Sequence, residues 1–458
     1  MRSPGAANAS VGSAPGGDGT AHGAGAARER EVRRPRELRR LLAAGVAAVL
    51  LAGCGGASGT PGDGGDVVLD FAWWGDKTRA ERYEQAVALF EEANPGVDVR
   101  TRYASWGDYW TARNTEAAGG QLPDVFQMDI AYLTDYAGSG RIAPLDEHVG
   151  EGIDLSALPE SLLPSARVDG QTYAVPTSTN TLTTVVNTDL LGELGVPLPD
   201  EDTTWDEYDT FLADVAAAGA SRTPPVHGSN DYTHVVWLFH IWLGQQGKSM
   251  FQDGELGFTE ADLAEWWGRA RALHENGAFL PPQRVEQIEG ADSIGLGETA
   301  AEISWDNFLV RFSEGSGGAA MTLLPPPADD PDERGMFLKP SLMLAMGAGT
   351  EHPEEAAALI DFITNDPQVG AVFGMSRGVP ASATALEGFE PAGLDQQILA
   401  YEESLEPYLT SSPPPPVAGF GSLETAFTRI GQDLAHGSIS VDEAVEQWFT
   451  EAESALQQ

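Results

Sequence analysis

The sequence contains one cysteine, Cys54, so no disulfide bond can form within the chain. Cations are also scarce, because lysine and arginine together number 26 against 69 acidic residues and the formal net charge is −43. A surface of this charge repels nucleic acid, which excludes nucleic acid as a partner. We expect the acidic residues to form a solvated surface, since they show no spacing typical of a calcium-binding loop.

The motifs of common enzyme classes are missing as well. The sequence has no G-x-S-x-G, no H-E-x-x-H and no P-loop pattern. The eight histidines are dispersed, and none of their spacings suits a zinc site. Acidic residues are so numerous that a glycosidase-like carboxylate pair stays open. We therefore expect a protein that is not an enzyme, with no catalytic residue, no metal site and no cofactor.

Long apolar runs are absent except for residues 41–51, which follow seven arginines within residues 28–40. Eleven apolar residues cannot cross a hydrocarbon core of ~30 Å, but a basic segment followed by such a run is typical of a secretory signal peptide. The run ends in Leu-Ala-Gly-Cys at residues 51–54, which resembles the lipobox of bacterial lipoproteins. The resemblance implies that residues 1–53 are a lipoprotein signal peptide and that Cys54 carries the lipid.

The segment after the predicted cleavage site is rich in glycine and has no large apolar side chain. We interpret residues 54–65 as a flexible tether between the lipid and the folded body. Such an anchor would hold the protein at the outer face of the cell membrane without inserting it. The chain that remains after cleavage is long enough for two domains.

The folded body begins with a strand–helix–strand pattern. Residues 67–73 are rich in β-branched and aromatic side chains, and residues 97–103 alternate between apolar and polar ones. Apolar residues at helical spacing separate the two segments, so the pattern predicts a βαβ unit and a parallel sheet. A third short strand is expected at residues 124–128. Ligands bind at the carboxyl ends of such strands, which places Trp73, Trp74 and Asp129 on one rim.

Tryptophan is abundant, with eleven residues. A sugar ring has apolar faces that stack on an indole, and its hydroxyl groups need hydrogen-bond partners. Trp73, Trp74, Trp237 and Trp305 lie at or beside predicted strand ends and helix starts, where they suit a sugar-binding cleft. Packing in the core is the competing explanation for each of them.

Short motifs along nearly all of residues 66–458 resemble the extracellular solute-binding lipoproteins of carbohydrate ABC importers, the maltose-binding-protein-like family 1. The motifs occur in the family's order. They are Trp73-Trp74-Gly75 and the segments at 89–99, 123–125, 173–176, 186–191, 204–208, 300–305, 354–362, 378–381, 426–434 and 440–445.

The resemblance implies an α/β, periplasmic-binding-protein-like fold, in which two α/β lobes are joined by a three-crossing hinge with a ligand cleft between them. The crossings are expected near residues 176–181, 338–341 and 375–380. The expected division is lobe one at 66–178 plus 340–375 and lobe two at 179–339 plus 376–458.

The resemblance also implies a function without turnover. A monomer would capture a neutral mono- or oligosaccharide and deliver it to the permease subunits of an ABC transporter. The ligand-binding residues that it implies, together with those placed by position, are Trp73, Trp74, Asp129, Asn180, Trp237, Trp305, Asn307 and Arg377.

Other ligands and another class of protein stay open at this point. A polyol, a glycerol phosphate or a polyamine could replace the sugar, although a phosphate ester fits poorly with so few cations. From another class, a secreted, lipid-anchored glycoside hydrolase is the alternative.

Residues 411–416 form a stiff polyproline segment, which we interpret as a spacer between helices rather than a recognition motif.

Overall fold

The computed structural model describes residues 67–252, 254–288 and 291–456. The predicted signal peptide, Cys54 and the tether lie outside these residues. The strands of the described part are, in chain order, β1 (Val67–Trp74), β2 (Val97–Ala104), β3 (Val125–Met128), β4 (Arg167–Val168), β5 (Gln171–Thr172), β6 (Ala174–Asn180), β7 (Leu182–Asn187), β8 (Phe251–Gln252), β9 (Glu255–Leu256), β10 (Ala301–Trp305), β11 (Met321–Leu324), β12 (Lys339–Met346) and β13 (Val379–Pro380).

Helices make up most of the remaining structure. The α-helices of the described part are α1 (Lys77–Ala93), α2 (Trp106–Gly119), α3 (Ile130–Gly138), α4 (Thr188–Leu194), α5 (Trp205–Gly219), α6 (Val236–Gln245), α7 (Glu260–Glu275), α8 (Pro282–Gln287), α9 (Leu309–Gly315), α10 (Pro353–Asn365), α11 (Pro367–Phe373), α12 (Ala383–Leu386), α13 (Leu394–Leu405), α14 (Phe420–Ala435) and α15 (Val441–Leu456). Short 3₁₀ helices cover Leu163–Ala166, Asp306–Phe308 and Glu406–Tyr408. Among the described residues, no helix combines the length and the apolar character that a membrane span requires.

A six-stranded sheet with the order β13-β6-β12-β3-β1-β2 is the centre of one part of the folded body, which we call lobe one. β1 pairs in parallel with β2 along its whole length and with β3 on its other side. The predicted βαβ unit and the predicted parallel pairing are therefore confirmed. β12 returns antiparallel between β3 and β6, so the sheet is mixed.

A three-stranded antiparallel sheet with the order β10-β7-β11 is the centre of the other part, which we call lobe two. Only Thr181 separates the end of β6 in lobe one from the start of β7 in lobe two. The chain returns to lobe one between β11 and β12, since β12 begins at Lys339. These two passages are the places where the chain crosses between the sheets.

The last passage follows β13. Val379 pairs with Thr179 in the six-stranded sheet, and α12 packs against α10 and α11 of lobe one. α13 then packs on α9 and β11 of lobe two. The division of the chain into lobes stays a prediction, and these contacts favour a last boundary after α12, later in the chain than residue 376.

The core lies on both faces of the six-stranded sheet and continues into lobe two. Because successive side chains of a strand point to opposite faces, Trp73 and Trp74 belong to different apolar clusters. Trp73 packs with Phe71 and Tyr83 under α1, whereas Trp74 faces α2. The two tryptophans therefore cannot line the same wall of a cleft.

Candidate ligand-binding cleft

Side chains from both lobes converge on Lys339, the first residue of β12. Its ammonium Nζ lies 5.2 Å from the ring centroid of Trp237 and 5.4 Å from that of Trp305, which belong to α6 and β10 of lobe two. The carboxylate of Asp129 in lobe one is 3.9 Å from the same nitrogen. Lys339 is only 7% exposed, so its charge faces these rings, this carboxylate and the Pro340 carbonyl, which accepts a hydrogen bond from Nζ at 3.3 Å. Asn180 is its register partner on β6.

A second carboxyl group, that of Glu424 on α14, borders the same place. Its Oε1 accepts a hydrogen bond of 2.9 Å from the indole Nε1 of Trp237. Burial, followed by the charge of Asp129, raises the pKa of Glu424 to about 7, while the nearby ammonium of Lys339 lowers it. The cleft therefore combines one ammonium with two carboxyl groups, one of which titrates near neutral pH.

An aromatic cluster of lobe one reaches the same cleft through Tyr132. The ring of Tyr132 stacks on Trp110 at a centroid distance of 3.9 Å, and Trp110 in turn contacts Trp74 and Trp106. Burial raises the pKa of Tyr132, and the charges of Asp129 and Glu424 raise it further, which places the phenol near both carboxyl groups. Trp106 is 45% exposed, so the cluster presents an aromatic surface to solvent.

Two amides at the cleft have oxygens without a partner. The side-chain oxygens Oδ1 of Asn180 and Asn307 are buried and make no hydrogen bond in the described structure. Asn180 is the last residue of β6, and Asn307 comes two residues after Trp305. Since buried polar atoms are rarely left unpaired, these two oxygens are available to a ligand with hydroxyl or amide donors.

The structure places two predicted site residues elsewhere. Trp73 has no exposed surface and lies in the core against Tyr83, with ring centroids 4.6 Å apart. The guanidinium of Arg377 covers the ring of Phe373 at 3.7 Å, and burial lowers its pKa. Ligand binding by Trp73 and Arg377 stays a prediction, which this placement disfavours.

Of the other predicted residues, Asp129, Asn180, Trp237 and Trp305 gather around Lys339, and Trp74 belongs to the aromatic cluster beside them. Sequence reasoning missed Lys339, Glu424 and Tyr132. Lys339 carried a signal, because it is one of three lysines in the chain and lies within a predicted crossing. Glu424 carried none, since acidic residues are common throughout this sequence.

The chemistry of the cleft suits a polar ligand that also has apolar faces. Indole and phenol rings offer flat apolar surfaces, while the carboxyl, amide and ammonium groups offer acceptors and donors around them. The groups come from both lobes, so a ligand that contacts all of them bridges the two sheets.

Comparison with known proteins gives the class. A model of the family described as bacterial extracellular solute-binding protein matches residues 85–395. The chain belongs to this family. It is 26% identical over 373 residues to the diacetylchitobiose binding protein DasA of Streptomyces coelicolor, a match that covers 76% of this chain and 83% of that protein.

Solved structures give the same architecture. An extracellular solute-binding protein family 1 from Alicyclobacillus acidocaldarius is 26% identical, with a TM-score of 0.65 over 86% of this chain and 99% of that one. A periplasmic oligogalacturonide binding protein from Yersinia enterocolitica, solved in complex with saturated digalacturonic acid, is 22% identical, with a TM-score of 0.73 over 85% and 99% of the two chains. The predicted fold class, two α/β lobes of the periplasmic-binding-protein type, is confirmed.

Proposed function

We propose that this solute-binding protein captures a neutral mono- or oligosaccharide between its two lobes and delivers it to the permease subunits of an ABC transporter. The observation that carries the proposal is the convergence of Trp237 and Trp305 from lobe two with Asp129 and Asn180 from lobe one around Lys339. An indole matches the apolar face of a pyranose, and the polar groups match its hydroxyls.

The names of the relatives support a carbohydrate as the ligand. DasA is described as a diacetylchitobiose binding protein, and the Yersinia structure holds an acidic disaccharide. Both descriptions concern proteins that bind sugars rather than cleave them, which favours a binding protein over a hydrolase here.

The charge of the cleft favours a neutral sugar. Lys339 is the one cation among the described residues that we place in the cleft, and its charge is already opposed by Asp129 and Glu424. A uronate or a sugar phosphate would add negative charge beside two carboxyl groups, and like charges at short distance are costly. We therefore expect neutral sugars to bind better than anionic ones.

Hinge closure is the mechanism that we infer. A ligand that contacts both lobes binds the closed form better than the open form and so shifts the equilibrium between them. The closed form would then dock on the permease and release its sugar.

Anchoring of the mature chain through a lipid on Cys54, at the outer face of the membrane, completes the proposal and rests on the sequence of residues 41–54.

Calorimetric titration with maltose, cellobiose, N,N′-diacetylchitobiose, digalacturonic acid and glycerol 3-phosphate tests the proposal. We expect at least one neutral sugar to bind with a Kd of about 1 μM, or about −8 kcal/mol, and to be recovered intact by chromatography. Binding of the anionic ligands alone would contradict the neutral-sugar assignment. Release of monosaccharides would instead identify a hydrolase, in which Glu424 and Asp129 would be the first carboxyl pair to examine.

A further inference from the structure

A cavity of about 260 Å³ lies inside lobe two, apart from the groups around Lys339. Its walls are the segment at residues 229–235, β10, α8 and the C-terminal ends of α7 and α14. On α14, Glu424 borders the cleft, whereas Gln432, about 12 Å further along the helix axis, lines the cavity. The cavity is therefore distinct from the cleft.

The inner end of the cavity offers hydrogen-bond acceptors. Asn230 Nδ2 donates to Glu302 Oε2 at 3.1 Å, so the amide nitrogen is used, while Asn230 Oδ1 is a buried atom without a hydrogen-bond partner. The Oγ of Ser229, a fully buried residue, is likewise unpartnered within the described structure. Since buried polar atoms are rarely left unpaired, both oxygens are available to a ligand that donates hydrogen bonds.

With its three histidines neutral, the cavity has a negative charge. Three carboxyl groups line it, and none of its described lining residues is a lysine or an arginine. Asp231 has a partner within the protein, since its Oδ2 lies 2.9 Å from Nε2 of His274. Glu286 is exposed at the mouth, where its Oε1 lies 3.2 Å from Nε2 of His436. The third carboxyl group, that of Glu302, belongs to the inner end.

The charge of Glu302 is one that a cation would stabilise. Burial, followed by the charge of Asp292, raises the pKa of Glu302 to about 7. Arg311 lowers this pKa, but its guanidinium pairs with Asp292 at 2.7 Å. A positive group in the cavity would favour the ionised form of Glu302 and would be bound by it in return.

The other lining groups narrow the class of cation. Val235, Leu280 and Ile303 offer apolar surface to a carbon chain. In the part of the chain that the structure describes, no group of three histidine, cysteine, aspartate or glutamate side chains could hold a metal ion. The volume exceeds the ~150 Å³ that accommodates benzene in an apolar protein cavity, so an organic molecule of about six non-hydrogen atoms fits.

We propose that this cavity is a second ligand site, which binds a small alkylammonium ion separately from the sugar in the cleft. The ammonium group would donate to the Glu302 carboxylate and to Asn230 Oδ1, and the alkyl chain would lie against the aliphatic wall. The inference goes beyond the proposed function and does not depend on it, because every group that it uses belongs to lobe two behind the cleft.

Calorimetric titration of the mature chain with butylamine and 1,4-diaminobutane tests this inference, with 1-butanol as the neutral match. Salt at ~0.15 M screens diffuse attraction to the acidic surface. We expect at least one amine to bind at one site with a Kd on the order of 1 mM, which is reasonable for so small a ligand, and 1-butanol not to bind. Absence of amine binding, or equal binding of 1-butanol, would overturn the site.

Two variants locate the amine in the cavity. Glu302→Gln removes the inner carboxylate, and Val285→Trp adds an indole at the mouth, where Val285 is 42% exposed. Each should raise the Kd of the amine at least about tenfold. Glu265→Gln, at an exposed position of α7 outside the cavity, removes the same charge and should leave the Kd unchanged. Thermal melting verifies folding, and Val285→Trp remains informative if Glu302→Gln unfolds. An unchanged Kd in either folded cavity variant would overturn the site.

Competition separates this site from the cleft. A neutral sugar at saturation should leave the Kd of the amine within about twofold, and both cavity variants should bind that sugar as the unmodified chain does. Displacement of the amine by the sugar would place the amine in the cleft and overturn the site. Absence of sugar binding would overturn the proposed function alone, since the cavity variants still decide where the amine binds.

Discussion

The hydroxyl oxygens of Ser178 and Ser341 lie 2.6 Å apart, and the carbonyl oxygen of Arg377 is within hydrogen-bond reach of both. Ser178 belongs to β6, Ser341 to β12, and Arg377 precedes β13. The three segments that the sequence predicts as hinge crossings thus meet at one polar contact. Movement of one lobe against the other would begin near this point, because β6 and β12 are the strands that enter or leave the lobe-one sheet at the two crossings.

Gly378, next to this contact, should be the least replaceable glycine of the hinge. Its φ is +106°, and a Cβ there would lie 2.2 Å from the Thr179 carbonyl oxygen. We expect Gly378→Ala to lower the free energy of unfolding by roughly 3 kcal/mol, through backbone strain together with the collision.

The matched control is Gly437→Ala, between α14 and α15. Gly437 also has a positive φ, +67°, but no atom lies within 4 Å of its added Cβ. This variant should cost about 1 kcal/mol, from the left-handed backbone alone. Urea unfolding measures both, and an equal loss in the two variants would show that the contact with Thr179 is unimportant.

Several elements of both lobes follow from local patterns, which explains why the sequence predicts them well. β1, α1 and β2 each carry their own apolar periodicity, and the segment Thr204–Glu207 contains a capping box that the structure shows around the start of α5. The motif at residues 300–305 contains β10 (Ala301–Trp305), and the motifs at 426–434 and 440–445 overlap the longer helices α14 and α15. Local rules suffice where neighbouring residues determine the structure.

The cleft depended on long-range packing and was predicted less well. Alternation places Trp73 and Trp74 on opposite faces of β1, but it does not tell which face α1 covers. Lys339, Glu424 and Tyr132 come from three distant parts of the chain and meet only after both lobes have formed. Glu424 is one of many acidic residues in the sequence, and only its burial in the folded protein distinguishes it from the others.

Trp305 and Trp73 should respond differently to truncation. Trp305→Ala removes a ring beside Lys339 that is only partly buried, so it should weaken binding of a neutral sugar by about 2–4 kcal/mol with little change in melting temperature. Trp73→Ala empties a fully buried core position and should lower the free energy of unfolding by about 3–5 kcal/mol. Calorimetry and urea unfolding separate the two effects. Loss of affinity in a stable Trp73→Ala variant would show instead that Trp73 contributes to ligand binding.

Processing at Cys54 can be tested in cells independently of ligand binding. Cys54→Ser removes the thiol that is predicted to carry the lipid. Cleavage is predicted to occur just before this residue, so the variant should remain an unlabelled precursor. Metabolic labelling with a radioactive fatty acid and gel electrophoresis measure both properties. A Ser58→Ala variant in the predicted tether serves as the control and should be labelled normally. Equal labelling of Cys54→Ser would contradict the lipoprotein prediction.

Closure on the ligand should be visible as compaction. Small-angle scattering of the mature chain is expected to give a smaller radius of gyration with a saturating neutral sugar than without it, because the ligand joins the lobes. Trp305→Ala should reduce this compaction at a fixed sugar concentration, since lobe two loses one contact with the ligand. An unchanged radius of gyration for the unmodified chain at saturation would contradict hinge closure and favour a rigid cleft.

A buried carboxyl pair at the first crossing should make stability depend on pH. Asp306 Oδ2 accepts a hydrogen bond from Thr181 N at 3.2 Å, and Glu402 Oε2 accepts one from Thr179 Oγ1 at 3.1 Å. The two carboxyl groups are close enough for each to affect the pKa of the other. Burial raises the pKa of Asp306 to about 7, and burial together with the neighbouring Asp306 raises that of Glu402 well above its usual range. Two adjacent buried carboxyl groups hold a proton that the unfolded chain would release.

The direction of the effect follows from proton binding. Carboxyl groups of the unfolded chain ionise near pH 4, whereas this pair keeps its proton in the folded state up to about pH 7. The folded state therefore binds more protons across this range, and the free energy of unfolding should fall as the pH rises from about 4 through 7. Glu302 and Glu424, whose pKa values burial also raises to about 7, contribute in the same direction.

Glu402→Gln should make the decline shallower, because the amide needs no proton to remain neutral. Glu403→Gln, at an exposed position of the same helix, should keep the slope of the unmodified protein. Urea unfolding at a series of pH values compares the three proteins, and identical slopes for the two variants would show that Asp306 and Glu402 do not share a proton at the crossing.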